Sequence, residues 1–338
     1  MSINSIGDNA RAYALQNATN RLKSTIDVLS SELNSGKVAD ITQRVRSNLQ
    51  PLHHIESRAD ILQQFKLNSA EITAQVDIMQ AVLGDVHSKV EKLGVSLMAV
   101  VVADSPQVVS THSHEASQAF QSAIAQLNTS VAGVHIFSGI ETDHAPLVSA
   151  DRILAEIEVV VSGATSAAEV NALLDDWFSA PAGEDGFLDF AYSGSQGASR
   201  QVRVSEYDKA VVDIDASHPA LRDTLKFMAL GALVNRGVLS ESPSDQREIL
   251  RLSGAGLLNN GADVVGLRSK LGLTQQQIET TYTQNASALA TYEIARNDII
   301  SADPFATSTA LMEAQTQLET LYTLTSRLSN LKLVDYLR

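Results

Sequence analysis

A run of apolar residues at alternating steps of three and four constrains this chain of 338 residues more than any other feature. The run begins at Leu62 and continues to Val100, so it spans more than five heptads, with Ser69 as its one polar member. Residues at this spacing share one narrow stripe of a helix, and such a stripe is the seam of a coiled coil. The sequence therefore predicts a long helix from about Ile55 to Ala103 that packs against other helices.

Both ends of the chain carry shorter seams of the same kind. Asp303 suits a helix N-cap and Pro304 suits the first helical position, so a helix about 50 Å long is predicted over residues 303–338. We predict that the two terminal seams form the assembly interface of the chain. The residues that define them are Leu15, Leu22, Ile26, Leu29, Leu33, Leu311, Leu318, Leu321, Leu324, Leu328 and Leu331.

Each terminal seam requires a partner, since burying one Leu is worth roughly 1.5 to 3 kcal/mol. Two partners are open at this point. The seams pair with each other or with the core of the same chain, which is the commoner role of such patterns. Alternatively they contact neighbouring copies, and in that case the terminal helices order only on assembly, because an unpartnered helix is marginal in water.

The residues after the heptad helix indicate a helical hairpin followed by a change of character. Asp104 and Pro106 break the first helix, and a second helix is predicted from about Gln107 to Ala132. Because the connection is short, the two helices should be antiparallel neighbours. Residues 35–50, before the heptad helix, are predicted to form a connector.

The middle of the chain, residues 141–235, is predicted to be a small inserted α+β domain. Helices are expected at 151–161, 166–178 and 221–233, the second opening with a Ser166/Glu169 capping box, and strands at 187–192, 200–207 and 211–215. Residues 244–301 should return to the helical rod, with five glycines loosening the first half of that segment. The predicted fold is mainly α: a long rod of antiparallel, coiled-coil-like helices drawn from both termini, with the α+β insertion facing outward.

Three regions follow from this pattern. The terminal helices, residues 1–45 and 303–338, are the inner assembly domain. Residues 46–140 and 236–302 are the helical rod, and residues 141–235 are the inserted outer domain. The boundary near residue 140 rests on Gly133, Gly139 and Pro146, which a continuing helix does not accommodate.

Composition excludes several classes of function. The net charge of −14 disfavours nucleic-acid partners, because that binding depends on Lys and Arg that neutralise phosphates. The absence of cysteine excludes disulfides, thiolate metal sites and a cysteine nucleophile. No signal-peptide pattern opens the chain and no stretch approaches 18 apolar residues, so we expect neither a cleaved signal nor membrane insertion.

Candidate sites for chemistry are weak, and we predict no enzyme activity, no cofactor and no metal site. Gly254, Gly256 and Gly261 suggest a phosphate-binding loop, but Asn259 stands where a dinucleotide fingerprint needs its third glycine. The remaining candidates are more simply structural: histidines on helix surfaces, a serine in a turn, solvated acids and core aromatic residues. They are His53, His54, His112, His114, Ser195, Asp175, Asp176, Glu184, Asp185, Trp177 and Phe178.

Particular residues at the C-terminus and in two internal segments resemble the flagellar hook-associated proteins of the hook–filament junction, within the flagellin-like superfamily. The points of similarity are Gln315, Leu318, Glu319, Tyr322, Arg327, Leu328, Leu331, Leu333, Asp335, Tyr336 and Leu337, with Asn128, Gly133, Phe137, Ser138, Gly139, Thr142, Pro146, Val265, Gly266 and Arg268. The chain departs from flagellin-like sequences at Lys37 to Asp40, where they often carry a Pro/Asp-rich turn.

The resemblance implies a secreted, extracellular structural subunit of the bacterial flagellum that connects hook to filament by self-assembly. It implies as partners other copies of the chain in a ring or tube, the first hook-associated protein, flagellin, and an export chaperone that binds the C-terminal region. Two alternatives remain. A divergent flagellin is disfavoured because flagellins tend to end in a Gln-bearing stretch before a final leucine pair, and an enzyme would have its site in residues 141–235.

Overall fold

The computed structural model describes the backbone of residues 4–100 and 105–336, and the side chains of residues 10–100 and 105–327. Within these ranges the chain is mainly helical, as predicted. The helices are α1 (Asn4–Ser35), α2 (Ile41–Arg44), α3 (Gln50–Ala99), α4 (Pro106–Leu127), α5 (Ala150–Val160), α6 (Ala167–Ser179), α7 (Phe187–Phe190), α8 (Pro219–Asn235), α9 (Pro243–Ile300) and α10 (Pro304–Tyr336). The strands are β1 (Ser130–Val131), β2 (Val134–His135), β3 (Arg200–Arg203) and β4 (Lys209–Val212), and they form two antiparallel hairpins.

The chain divides into two compact units, one of residues 1–62 with 287–338 and the other of residues 63–286. Helices α3 and α9 contribute residues to both units. The division into three regions made from the sequence stays a prediction. Helix α8 is relevant to the boundary between insertion and rod. It belongs to the sequence-defined insertion but packs along α4 of the predicted rod.

In unit 63–286, α3 and α4 form the antiparallel hairpin that the sequence predicts. The Lys89 ammonium donates to Gln126 Oε1 at 3.1 Å, and the Ser96 hydroxyl donates to Glu115 Oε2 at 2.7 Å, so the start of α4 lies beside the end of α3. The heptad positions of α3 are the buried ones. They include Ile72, Val76, Met79, Leu83, Val86, Val90, Leu93 and Leu97.

Helix α9 is continuous through its glycines, which corrects the expectation of a loosened first half. Two of those glycines, Gly254 and Gly256, lie where helices approach each other closely. A Cβ on Gly254 would stand 2.9 Å from the Gly94 carbonyl oxygen of α3, and one on Gly256 would stand 2.2 Å from the Phe227 ring of α8. Each glycine lowers the helix propensity of α9 only locally. Because glycine has no side chain, it also lets a partner helix approach α9 more closely.

Helix α8 lies in the core of this unit, between α4 and α9. A Cβ on Gly231 would meet Ala116 Cβ of α4 at 2.8 Å and the Ser253 hydroxyl of α9 at 3.0 Å. The Asn260 amide of α9 donates to the Ala220 carbonyl and to Thr224 Oγ1, at 2.8 and 2.7 Å. These contacts satisfy polar groups that the helix packing buries.

The segment 187–192, predicted as a strand, is instead the short helix α7. The Asp189 carboxylate accepts the backbone amides of Gly183 and Asp185, which folds the preceding loop back onto the helix. The Phe187 ring stacks on Phe178 at 5.2 Å between centroids, so an aromatic cluster holds this segment rather than a strand ladder. Only Tyr192 pairs as a strand residue, in an isolated bridge with Leu147.

Other element ends also differ from the predictions. Helix α4 stops at Leu127, five residues before its predicted end, and Ala132 and Gly133 instead form the β1–β2 turn with positive φ values of 51° and 83°. The β3 and β4 strands are shorter than predicted, since Ser205 and Asp208 close a turn between them. The connector 35–50 contains α2, and α3 begins at Gln50. The predicted end of the heptad helix at Ala103 and the break at Asp104 lie outside the described residues.

Candidate assembly surface

The terminal helices α1 and α10 lie against each other in the unit of residues 1–62 and 287–338. Helix α10 begins as the sequence predicts. Asp303 Oδ1 accepts the backbone amides of Phe305 and Ala306, at 2.9 and 3.2 Å, and Pro304 occupies the first turn. The structure therefore brings the two predicted seams together within one chain.

Contact between the seams leaves their side chains only partly covered. The half-buried residues are Leu15, Leu22, Ile26, Leu29, Leu311, Leu318 and Leu321. Leu33 and Leu324 are exposed, at 40% and 49%. Among the described side chains of α1, residues 10–35, none is buried. Leu328 and Leu331, also predicted for this surface, lie outside the described side chains.

Backbone hydrogen bonds between residues 36–38 and residues 300–302, called the clasp here, join the end of α1 to the start of α10. Helix α1 ends at Gly36, whose φ of 67° suits glycine, and the Gly36 carbonyl accepts the Ala302 amide at 3.0 Å. The Val38 amide donates to the Ile300 carbonyl at 2.9 Å. These two bonds tie the turn after α1 to the turn before α10. The Glu32 side chain also accepts the Ala39 amide at 2.8 Å, which holds the turn after α1 against the end of that helix.

The faces of α1 and α10 that point away from the seam carry exposed apolar side chains. Tyr13 on α1 is 68% exposed, and Phe305 and Met312 on α10 are 83% and 64% exposed. The seam analysis did not find these residues, because it followed only the leucine spacing. In the sequence, these residues belong to a second set of positions, half a turn from the seam, that also repeats at steps of three and four.

The threonines of α10 have hydroxyls that are already bonded within the helix. Thr309, Thr316, Thr320 and Thr323 each donate from Oγ1 to the carbonyl four residues earlier, at 2.9 Å. A hydroxyl satisfied in this way loses little when another protein surface covers it, because its hydrogen bond is kept. This face of α10 is therefore suited to burial.

Residues 260–337 match the family model of the bacterial flagellin C-terminal helical region. The match extends over more than two thirds of α9 and all of α10. The C-terminal part of the chain is therefore flagellin-like, and the region includes the helix that pairs with α1. No curated protein matches the whole sequence at a significant level.

Two solved structures are similar to this chain to different extents. A protein from Vibrio parahaemolyticus described as flagellar hook-associated has 15% sequence identity and a TM-score of 0.51, over 73% of this chain and 95% of that one. The FlgL protein of Bacillus cereus has 11% identity and a TM-score of 0.42, over 72% of this chain and 99% of that one. At such low identity the first likeness is one of fold.

The structure places the sequence-predicted chemical residues apart from one another. The three glycines of the suggested phosphate loop lie inside α9, and Ser195 Oγ accepts the Ile140 amide at 2.8 Å. His112 Nδ1 lies 2.8 Å from the Ser96 hydroxyl on the surface between α3 and α4. Trp177 packs edge-on against Phe178, with ring centroids 4.9 Å apart.

The remaining candidates are likewise surface groups or ion-pair partners. Asp175 pairs with the Lys226 ammonium of α8 at 2.5 Å, which ties α6 to α8. Among the side chains of residues 10–100 and 105–327, no three His, Asp or Glu groups converge as a metal site. None of the described helices has the length and apolarity that a membrane crossing requires. The paired terminal helices are thus the strongest candidate surface.

Proposed function

We propose that this chain is a structural subunit of the bacterial flagellum that connects hook to filament through helix–helix self-assembly. The observation that carries the proposal is the incompletely buried α1/α10 pair, whose α10 member falls in the flagellin-like region. A helix gains stability mainly by packing an apolar face. A two-helix pair with half-buried leucines therefore gains further stability when neighbouring copies pack on it.

The predicted interface residues and the backbone clasp have different roles in this proposal. The seam leucines hold α1 and α10 together, so each copy has one element made of two paired helices. The clasp at Gly36 and Ala302 fixes where that element begins. Assembly then places such elements side by side in a ring or tube, and it buries surface that the separate chain leaves in water.

The proposed partners are other copies of this chain, the first hook-associated protein on the hook side and flagellin on the filament side. An export chaperone that binds the C-terminal region is part of the same proposal, as is secretion without a cleaved signal. These partners rest on the resemblance of the terminal and boundary residues to the junction proteins. The insertion, residues 141–235, would face outward.

A divergent flagellin is the second candidate, because the matched family model is that of flagellin C-termini. Both candidates are structural, and we propose that the chain is not an enzyme. The charged groups of residues 141–235 support a structural role. Those that contact other residues form ion pairs between elements or cap helices. For example, Arg236 pairs with Asp151 and Glu158, each at 3.1 Å.

Deletion of the gene for this chain separates the two structural candidates. If the chain is the junction subunit, cells retain hooks, lack filaments and release flagellin into the medium. If the chain is the flagellin itself, the hooks remain but no filament subunit appears outside the cell. Cells that keep attached filaments after the deletion would contradict both.

The seam can be tested separately with Leu321→Asp. We expect this change to abolish assembly, because a carboxylate on the seam opposes contact between α1 and α10. The melting temperature of unit 63–286 should not change. Leu273→Asp on α9 is the matched control, since Leu273 is exposed in the other unit, and it should assemble normally.

A further inference from the structure

The N-terminus of helix α8 is capped by a histidine, a side chain whose charge changes near neutral pH. The Ala220 amide donates to His218 Nδ1 at 3.3 Å. The amides of Leu221 and Arg222 donate to the His218 carbonyl, at 2.9 and 3.0 Å. Pro219, at the first helical position, has no amide to donate. The imidazole therefore accepts the amide of the first turn that the His218 carbonyl leaves free.

The amide that the ring accepts is shielded from water. Ala220 is 6% exposed, and its carbonyl accepts the Asn260 amide group of α9 at 2.8 Å. A buried amide that loses its acceptor costs the folded state free energy, because water does not replace the lost partner. The start of α8 therefore depends on the His218 ring.

Only the neutral form of the ring can serve as this cap. Nδ1 accepts a hydrogen bond when the ring is neutral and carries its proton on Nε2, whereas both nitrogens of the protonated ring are donors. Protonation also places a positive charge at the N-terminus of α8, where the helix dipole is already positive. Acid thus removes the hydrogen bond and adds repulsion at the same position.

The charged groups around His218 come from the loop before α8, from α8 itself and from α9. Asp213 and Asp215 lie in the loop, Arg222 lies in the first turn of α8, and Lys270 of α9 donates to Asp213 Oδ2. The two carboxylates favour the protonated ring, whereas Arg222 and Lys270 oppose it. Burial of the ring is the largest influence, and it lowers the pKa of His218 below its usual value. The folded chain therefore favours the neutral, capping form.

The cap lies where the segment after β4 joins the buried helix α8. The Ala216 amide donates to the Phe137 carbonyl at 2.9 Å, and the ion pair of Asp213 with Lys270 holds the same segment on α9. Beyond the cap, α8 packs along α4 and α6. A change at His218 therefore acts on the junction between this loop and the helical core.

We propose that His218 is a pH-sensitive cap: the neutral ring holds the first turn of α8 closed, and its protonation in mildly acidic solution opens that turn. Opening releases residues 213–218 from the start of α8. The rest of α8 stays in place, because α4 and α6 continue to hold it. The cap acts within a single copy, so it goes beyond the proposed function and does not depend on it.

Acid should destabilise the fold through His218 and not through Asp215. Because folding lowers the pKa of His218, its stabilising contribution is complete above about pH 6.5, the unfolded value, and is lost as the pH falls through the lower folded value. Burial raises the pKa of the Asp215 carboxyl, so its contribution is lost as the pH rises instead. A variant that keeps Asp215 and replaces only the His218 ring separates the two effects.

Thermal unfolding of the full-length chain, followed by the fluorescence of the single tryptophan Trp177, tests the cap. His218→Asn is the decisive variant, because asparagine is a good N-cap and does not titrate. Between pH 7.5 and pH 5, the melting temperature of the wild type should fall by about 2 to 4 °C relative to that of His218→Asn. His218→Ala should melt below the wild type at pH 7.5 and approach it at pH 5. His114→Asn on the exposed side of α4 is the matched control, and it should follow the wild type.

Nuclear magnetic resonance of the chain with ¹⁵N-labelled histidine gives a local readout. The His218 signal is assigned by its loss in His218→Asn. At pH 7.5 it should show the tautomer that carries the proton on Nε2, and it should titrate below pH 6.5. The backbone amide of Ala220 should shift with the same midpoint, because its acceptor is lost in the same step.

Two results would overturn the cap. A ring that carries its proton on Nδ1 at pH 7.5 could not accept the Ala220 amide. Parallel melting curves for the wild type and His218→Asn from pH 7.5 to pH 5 would show that protonation of the ring opens nothing. If His218→Asn does not fold, His218→Ser supplies another N-cap that does not titrate, and the same comparison applies.

Discussion

The core of unit 63–286 and the α1/α10 pair are built from the same spacing of apolar residues, yet they bury those residues to different extents. Leu83, Val86 and Val90 of α3 are completely enclosed, because α4, α8 and α9 supply further surfaces around the hairpin. In contrast, Leu22 and Ile26 of α1 have α10 as their partner and stay half-buried. The number of partner helices, not the spacing, decides how completely a seam is buried.

The difference indicates which region is complete in a single copy. Full burial of a leucine is worth roughly 1.5 to 3 kcal/mol, and a half-buried one realises only part of this. Unit 63–286 has therefore gained most of the stabilisation that its seams offer. The α1/α10 pair retains unsatisfied apolar surface, which is the property expected of a region that neighbouring copies complete.

The largest difference between the two regions should come from changing one seam leucine to alanine in each of them. We expect Leu83→Ala to lower the free energy of unfolding of unit 63–286 by about 2 to 5 kcal/mol, through lost contacts and the cavity that remains. Leu22→Ala should change the free energy of unfolding of unit 63–286 by less than about 0.5 kcal/mol. The fluorescence of Trp177, the single tryptophan, reports this unit in urea titrations. An equal loss in both variants would show that the two regions form one cooperative core.

A smaller effect is expected where helices approach through glycine. Gly254→Ala should destabilise unit 63–286 by about 1 to 3 kcal/mol, because the added Cβ meets the Gly94 carbonyl and Leu97 Cβ at 2.9 and 3.0 Å. Gly266→Ala on the same helix is the matched control. No atom lies within 4 Å of its added Cβ, so it should stabilise by up to about 1 kcal/mol. Stabilisation by both changes would mean that α3 and α9 are not in close contact.

The smallest effect is a pH dependence at His144. Its two ring nitrogens lie 2.8 Å from the Ser193 carbonyl and 2.9 Å from Asp143 Oδ1, and only the protonated ring donates to both. The hydrogen bond to the Ser193 carbonyl, with that to Asp143, raises the pKa of His144 above its usual value. The stabilisation is therefore complete below about pH 6.5, the unfolded pKa, and is lost as the pH rises through the higher folded value.

Urea titrations of the wild type and of His144→Gln check this dependence. The wild-type midpoint should fall slightly relative to that of the variant between pH 6 and pH 9. His114→Gln on the exposed side of α4 is the control, and it should follow the wild type. Parallel curves for the wild type and His144→Gln would show that the ring contributes nothing in its protonated form.

Local signals in the sequence predicted much of the fold. The heptad run predicted the buried face of α3, Asp303 and Pro304 predicted the start of α10, and Ser166 caps α6 through the Glu169 amide at 3.3 Å. Residues 187–192 were predicted wrongly, because Phe187 packs in the aromatic cluster and Asp189 accepts backbone amides of the preceding loop. Ring packing and side-chain hydrogen bonds decide the conformation of such a segment, and the spacing of apolar residues does not specify them.

The same distinction applies to the candidate surface. The leucine spacing predicted the two seams, and the structure shows that they meet each other. The faces of α1 and α10 that point away from the seams could not be predicted in the same way, because serine, threonine and asparagine are common on any solvated helix. They become distinctive only when Tyr13, Phe305 and Met312 are known to be exposed and the threonine hydroxyls are known to be bonded within the helix.

Hydrogen exchange of the full chain, measured before and after assembly, tests most directly whether neighbouring copies complete the terminal helices. In the separate chain, amides of residues 17–33 and 311–327 should exchange within seconds, whereas those of residues 72–93 should be protected. In the assembled state both sets should be protected, with the largest change in the terminal helices. Terminal helices that are equally protected before and after assembly would contradict this account, because they would already be complete in a single copy.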